Sequence, residues 1–197
     1  MHDEKFVAAS GIAAAVTLAT IFWLRPLARR IGLVDRPTTR KRHRGRVPLI
    51  GGLCFFLGTI AGLLYFGNLD PFIVSLLATG AILVLFGLID DLYDISPRAR
   101  LLIQACTVAL MMAATGVYID GAGDLFGGEA IRLRLLGIPL TIVAVVGLVN
   151  AFNMLDGIDG LAGSLAMVSI VAILAFSGAG WPARRVLLML EILGIAL

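Results

Sequence analysis

Apolar runs of about 20 residues, separated by short polar clusters, recur along the chain, and this recurrence restricts the fold more than any single motif does. A helix needs about 20 mostly apolar residues to cross the hydrocarbon core of a bilayer. The runs are Phe6 to Leu24, Leu49 to Phe66, Phe72 to Ile89, Arg100 to Tyr118, Ile138 to Leu155 and Leu161 to Ser177. A further run begins at Val186 and has only the twelve residues after Arg185, too few to span at a rise of about 1.5 Å per residue. Of the 197 residues, 59% are hydrophobic and 15% charged, which leaves too little polar surface for a water-soluble domain of this length. The expected fold is all-α: a polytopic membrane helical bundle of six full spans plus a truncated seventh. Residues 1–197 then form a single membrane domain, the N-terminal part of a larger one.

The first run is long, is followed by basic residues and lacks a small-residue cleavage site, so it reads as a retained span and not as a signal peptide. Cys54 and Cys106 both fall inside apolar runs and read as small core residues, not as a disulfide framework. The formal net charge of +3 is concentrated in one segment, which membrane orientation explains better than a nucleic-acid partner. Between Arg25 and Val47 there are nine Arg and Lys residues, and two more lie between Asp90 and Arg100; the segments on the opposite side carry five in all. Eleven against five places the first set in the cytoplasm by the positive-inside rule, and the N-terminus outside. The opposite-side segment Asp120 to Arg134, glycine-rich and mixed in charge, reads as a plain loop.

Three polar clusters therefore meet the cytoplasmic face. Asp90 and Asp91 follow directly on the run ending at Ile89, at a helix C-terminus where the macrodipole already leaves partial negative charge. With Asp94 a turn later, they need a positive partner, either Arg98 and Arg100 or a metal ion. In the second cluster, Asn150, Asn153 and Asp156 recur every three residues and share a helix face, and Asp159 follows. Amides and carboxylates at this depth are costly and usually face a cavity. Gly157 and Gly160 permit a sharp turn and close approach of a ligand. A helix-breaking turn with Asp caps would account for Asp159 but not for the asparagine row. The third cluster, Asp35 to Arg46, includes Lys41, Arg42 and His43. It suits either anionic lipid headgroups or the phosphates of a lipid or nucleotide.

Taken in order, these clusters resemble the polyprenyl-phosphate N-acetylhexosamine-1-phosphate transferase family (glycosyltransferase 4). The matching strings are Gly32-Leu-Val-Asp-Arg-Pro37, Arg40-Lys-Arg-His43, Pro48-Leu-Ile-Gly-Gly52, Asp90-Asp-Leu-Tyr-Asp-Ile-Ser96 and, most specific, Asn150-Ala-Phe-Asn-Met-Leu-Asp-Gly-Ile-Asp-Gly-Leu161. Their wording is closest to the branch that loads N-acetylglucosamine 1-phosphate. The resemblance implies an inner-membrane enzyme that joins undecaprenyl phosphate and UDP-N-acetylglucosamine in the membrane, releases UMP, and primes O-antigen, lipopolysaccharide or enterobacterial common antigen synthesis. It implies Mg²⁺, or Mn²⁺, as cofactor. Catalytic roles fall on Asp90, Asp91, Asp156 and Asp159, with Asp90 and Asp91 toward the metal; Asn150, Asn153, Gly157, Lys41, Arg42 and His43 would contact substrate. The family's later Gly-Asp-Ala-Gly-Ser motif and His-rich loop do not occur here, the only histidines being His2 and His43. These 197 residues are thus expected to be a fragment that does not turn over alone. Competing expectations are a sister transferase taking another UDP-sugar, for phospho-muramoyl-pentapeptide or a teichoic acid primer, and a cation-coupled transporter. A transporter would place carboxylates near mid-membrane and show internal repeats, a pattern this sequence lacks.

Overall fold

The computed structural model describes residues 2–35, 47–67, 69–93, 95–121, 131–155 and 161–176. Lys41, Arg42, His43, Asp94, Asp156, Gly157, Asp159, Gly160 and the truncated seventh run lie outside the described residues. Six helices make up nearly all of the rest: α1 (His2–Ile31), α2 (Gly51–Phe66), α3 (Pro71–Tyr93), α4 (Pro97–Thr115), α5 (Gly137–Leu155) and α6 (Leu161–Phe176). The protein is an all-α membrane helical protein, as expected. Three helical segments have the length and composition to cross a bilayer, namely Glu4–Ile31, Pro71–Tyr93 and Arg134–Leu155, the last including a short 3-10 turn before α5. Helices α2 and α6 are apolar but shorter: each has 16 residues, about 24 Å of rise against a core of about 30 Å; α4 has 19 residues but carries Arg98, Arg100 and Gln104.

Two helices overrun the apolar runs that define them. The first continues past Leu24 and through Pro26 to Ile31, although an interior proline forfeits a hydrogen bond and costs about 3 kcal/mol. Packing offsets that cost, because Ala28 is buried against Leu33, Ile50 and Cys54. The end is fixed by Gly32 at φ 82°, a left-handed conformation that glycine adopts without Cβ strain, and by the Leu33 N–H donating to Ala28 O at 2.9 Å. The third helix continues beyond Ile89 to Tyr93, so Asp90 and Asp91 lie within its last turn and not after it.

Two-residue strands, β1 (Val34–Asp35) and β2 (Val47–Pro48), pair antiparallel, with Asp35 opposite Val47. The two ends of the basic segment are thereby tied together beside the start of α2. A similar pairing occurs at the segment expected to be a plain loop. Gly121 bridges Arg132, and the Leu133 N–H donates to Asp120 O at 2.8 Å, so its ends are hydrogen-bonded to each other.

Successive helices alternate in direction, and the packing clusters show it. One cluster joins Ala9 and Ala13 near the start of α1 to Leu63 near the end of α2 and Ile73 at the start of α3. The other joins Ala28, Leu33, Ile50 and Cys54 to Leu88 near the end of α3. At α4 and α5 the same alternation appears in hydrogen bonds: the Ile119 N–H, just past α4, donates to Thr141 Oγ1 near the start of α5 at 2.9 Å. The ends of α1, α3 and α5 and the starts of α2 and α4 therefore share one end of the bundle.

Packing relies on small residues, as it must where lipid removes the usual hydrophobic drive between helices. Helices α1 and α2 approach so closely at Gly58 that a Cβ there would collide with Thr17 Oγ1 and Ala13 O. The Thr17 hydroxyl donates to Ala13 O at 2.9 Å, and Thr59 donates likewise to Phe55 O at 3.0 Å, so these polar groups are satisfied inside their own helices. Large apolar side chains point outward instead, among them Phe22 and Trp23 at 76% and 77% exposed, the inverse of a soluble core. Cys54 is buried as expected, whereas Cys106 lies on the exposed surface of α4, where lipid in place of water makes an outward thiol inexpensive.

Candidate active site

The site is assembled by the tight connection between α3 and α4. Ser96 caps α4, its Oγ accepting from the Ala99 N–H at 3.4 Å, and Pro97 occupies the first helical turn with φ preset for a helix. The chain therefore reverses within a few residues of Tyr93, and the first turn of α4 lies against the last turn of α3. Arg100 reaches back across that junction. Its Nη2 lies 2.7 Å from Asp90 Oδ2 and donates to Asp90 Oδ1 at 3.0 Å. Asp90 Oδ1 also accepts the Ile95 N–H at 3.1 Å, which pins the connection to the helix end.

This arrangement answers the electrostatic problem posed by carboxylates at a helix C-terminus. The positive partner of Asp90 is Arg100, one of the two cation sources expected, and the pair is largely withdrawn from solvent, with side chains 11% and 29% exposed. Arg98, by contrast, is exposed. The Arg100 Nε is buried and has no hydrogen-bond acceptor among the described residues. A buried donor in that state costs about 1–3 kcal/mol, so an anionic oxygen brought to this position would be stabilised.

One turn further along α4 lies Gln104, only 5% exposed. Its Oε1 accepts from Asn150 Nδ2 at 2.6 Å, and the same Nδ2 donates to Val146 O at 2.8 Å. Helix α4 thus carries, at positions four apart, a partner for the acidic end of α3 and a partner for the asparagine row of α5. Asp90 and Asn150, 60 positions apart by their residue numbers, are brought to one end of the bundle by a single helical turn. Asn153 is exposed, as is Asp91, which also makes an interaction within the protein. Leu88 packs on the cluster formed by the roots of the basic segment, which puts Asp90 near that segment's anchoring strands. Asp90 and Asn150, from two of the three expected clusters, thus stand at one end of the bundle, while Lys41, Arg42 and His43 of the third lie outside the described residues.

Gln104 was not among the residues singled out from sequence. The signal was present: a lone amide inside the apolar stretch Leu101 to Thr115, at intramembrane depth where polar side chains face partners or cavities.

Mg²⁺ commonly takes one or two carboxylates together with substrate phosphates and water. Adjacent Asp90 and Asp91 fit that type of donor set, although both Asp90 oxygens already receive protein donors. Among the described residues no group of three or more His, Cys, Asp or Glu side chains lies together.

Comparison with known proteins identifies the family. The model of glycosyl transferase family 4 matches residues 73–197, a stretch that includes Asp90, Arg100, Gln104 and Asn150. The chain is 41% identical over 129 residues to the undecaprenyl-phosphate alpha-N-acetylglucosaminyl 1-phosphate transferase of Yersinia pestis, covering 66% of this chain and 35% of that protein. To the Escherichia coli protein of the same name it is 43% identical over 132 residues, again covering 66% and 35%. A Bacillus subtilis protein named as a probable undecaprenyl-phosphate N-acetylglucosaminyl 1-phosphate transferase is 35% identical over 151 residues, 74% of this chain and 42% of its own length. The aligned part amounts to between a third and a half of each relative's length. With its polar residues gathered at one end of an apolar bundle and the family model matching from the start of α3 onward, the chain belongs to glycosyl transferase family 4.

Proposed function

We propose that the protein of which this chain is part transfers N-acetylglucosamine 1-phosphate from UDP-N-acetylglucosamine to undecaprenyl phosphate. A phosphate oxygen of the lipid attacks the sugar-linked phosphorus, a new P–O bond forms, the P–O bond to the UMP moiety breaks, and UMP leaves. The observation that carries the reading is the junction of α3, α4 and α5, where Asp90 is held by Arg100 and Asn150 by Gln104 one turn away. The relatives' names supply the substrates.

Two polyanions must meet at a membrane surface for this reaction, so positive charge and positioning dominate the chemistry. Arg100 offers a buried Nε–H for a phosphate oxygen while its Nη2 keeps Asp90 in place. Asp91, exposed beside it, is the carboxylate we assign to metal contact or to removal of the lipid phosphate proton. Mg²⁺ or Mn²⁺, when bound, would offset phosphate charge. Asp156, Asp159 and Gly157 complete the nucleotide-sugar side in this reading, and Lys41, Arg42 and His43 contribute phosphate contacts. The enzyme lies in the bacterial inner membrane with this end in the cytoplasm and the N-terminus in the periplasm. Its lipid product primes O-antigen, lipopolysaccharide or enterobacterial common antigen synthesis.

The test offers the purified full-length protein, in detergent with undecaprenyl phosphate and Mg²⁺, a panel of radiolabelled UDP-sugars. Label entering lipid from UDP-N-acetylglucosamine alone, and its loss on chelation of the metal, is the expected result. Preferential use of UDP-muramoyl-pentapeptide or another donor would refute the substrate assignment.

A further inference from the structure

We propose that Gln104 is a positioning residue, which through its bond to Asn150 fixes the Asn150 carboxamide so that Oδ1 is offered as an acceptor to an N–H or O–H donor of the nucleotide-sugar. The inference rests on the transferase reading above and adds to it a residue and a polarity.

The direction of both amides follows from one backbone atom. Val146 O can only accept, so the Asn150 atom 2.8 Å from it is the amino group. That amino group also lies 2.6 Å from the Gln104 side chain, so the Gln104 atom it meets is the carbonyl oxygen. Both Asn150 N–H donors are then committed inside the protein. The Asn150 Oδ1 has no partner among the described residues, and the residue is only half-buried, so the oxygen remains for a ligand. Rotation of the Asn150 amide by half a turn would set Oδ1 against Val146 O and forfeit that hydrogen bond, since the Gln104 amide can turn with it and Val146 O cannot. At roughly 1 kcal/mol net for that bond, the flipped state is disfavoured about 5-fold, and the Gln104 bond holds the carboxamide in place.

A bond to Val146 alone could be made by any asparagine at this place in a helix. Gln104 adds the second constraint and comes from another helix, at a position 95% withdrawn from solvent. Its amide has no other role in the site: Asp90 is satisfied by Arg100 and by the Ile95 N–H without it.

The test is kinetic, on the full-length enzyme, with the variants Gln104→Met, Asn150→Ala and the double variant. Gln104→Met keeps the side-chain length and removes the acceptor. The expected result is a KM for UDP-N-acetylglucosamine raised about 5-fold, the loss of one hydrogen bond that holds the carboxamide, with the KM for undecaprenyl phosphate unchanged. In the Asn150→Ala background, Gln104→Met should add nothing, because its effect passes through Asn150. Gln104→Asn, a methylene too short to reach Asn150, predicts the same rise and serves if the methionine variant does not accumulate. Multiplicative effects in the double variant, an unchanged nucleotide-sugar KM, or equal rises in both KM values would overturn the inference while leaving the transferase reading intact. A wild-type enzyme that transfers nothing from UDP-N-acetylglucosamine would overturn both.

Discussion

Replacing Arg100 by methionine removes the cation that holds Asp90 and leaves a similar volume at the start of α4. Its Nη2 approaches both carboxylate oxygens, at 2.7 and 3.0 Å. Removing one partner of a fully buried ion pair costs about 3–5 kcal/mol, because the remaining charge is stranded. This pair keeps some contact with solvent, at 11% and 29% exposure, Asp90 keeps the Ile95 N–H, and the substitution also relieves the unsatisfied Arg100 Nε, so about 2 kcal/mol is the appropriate figure. That corresponds to roughly a 30-fold shift in the unfolding equilibrium. Denaturant titration of the full-length protein in detergent measures it. Arg100→Lys, a point charge without the planar guanidinium, should recover about half. The double variant Arg100→Met with Asp90→Asn should be more stable than Arg100→Met alone, since no stranded charge remains. An Arg100→Met protein within about 0.5 kcal/mol of wild type, the scatter of ordinary surface substitutions, would refute the reasoning.

Further outcomes follow from other contacts. Asp90→Asn, Asp91→Asn and Asp156→Asn, each in the full-length protein, should abolish or strongly reduce transfer while membrane insertion persists, because neutralising a carboxylate lowers the cost of insertion; wild-type turnover in any one removes that residue from the site. Gly58→Leu should separate α1 from α2, since even a Cβ collides with Thr17 Oγ1 and Ala13 O, lowering stability by about 1–3 kcal/mol as overpacking does. A melting temperature equal to wild type would show that the helices are less closely apposed. Asn150→Asp should destabilise by about 1 kcal/mol, because an acceptor oxygen would then face Val146 O; a melting temperature at or above that of Asn150→Ala would contradict the assigned amide orientation.

The helices were largely legible from the sequence because lipid imposes length and apolarity together. Five of the six begin or end within three residues of the apolar runs. Where the match fails, the missing information is tertiary. Nothing in the composition of Arg25 to Ile31 says that Ala28 will pack under α2, yet that burial carries α1 through a proline. The need of Asp90 for a positive partner followed from the helix dipole, and Arg100 was one of the candidates. The choice of Arg100 over Arg98 depended on how sharply Ser96 and Pro97 turn the chain. Gln104 was hidden for another reason: a single amide in an apolar run carries no periodicity, and its meaning appears only when α5 brings Asn150 opposite it.

The central claim, that this family member moves a sugar together with its phosphate, is tested most directly by following the β-phosphate of UDP-N-acetylglucosamine. With that phosphate radiolabelled and the full-length enzyme supplied with undecaprenyl phosphate and Mg²⁺, the account predicts label in the lipid fraction and unlabelled UMP in solution. Label retained in soluble UDP, with only the sugar reaching the lipid, would contradict it.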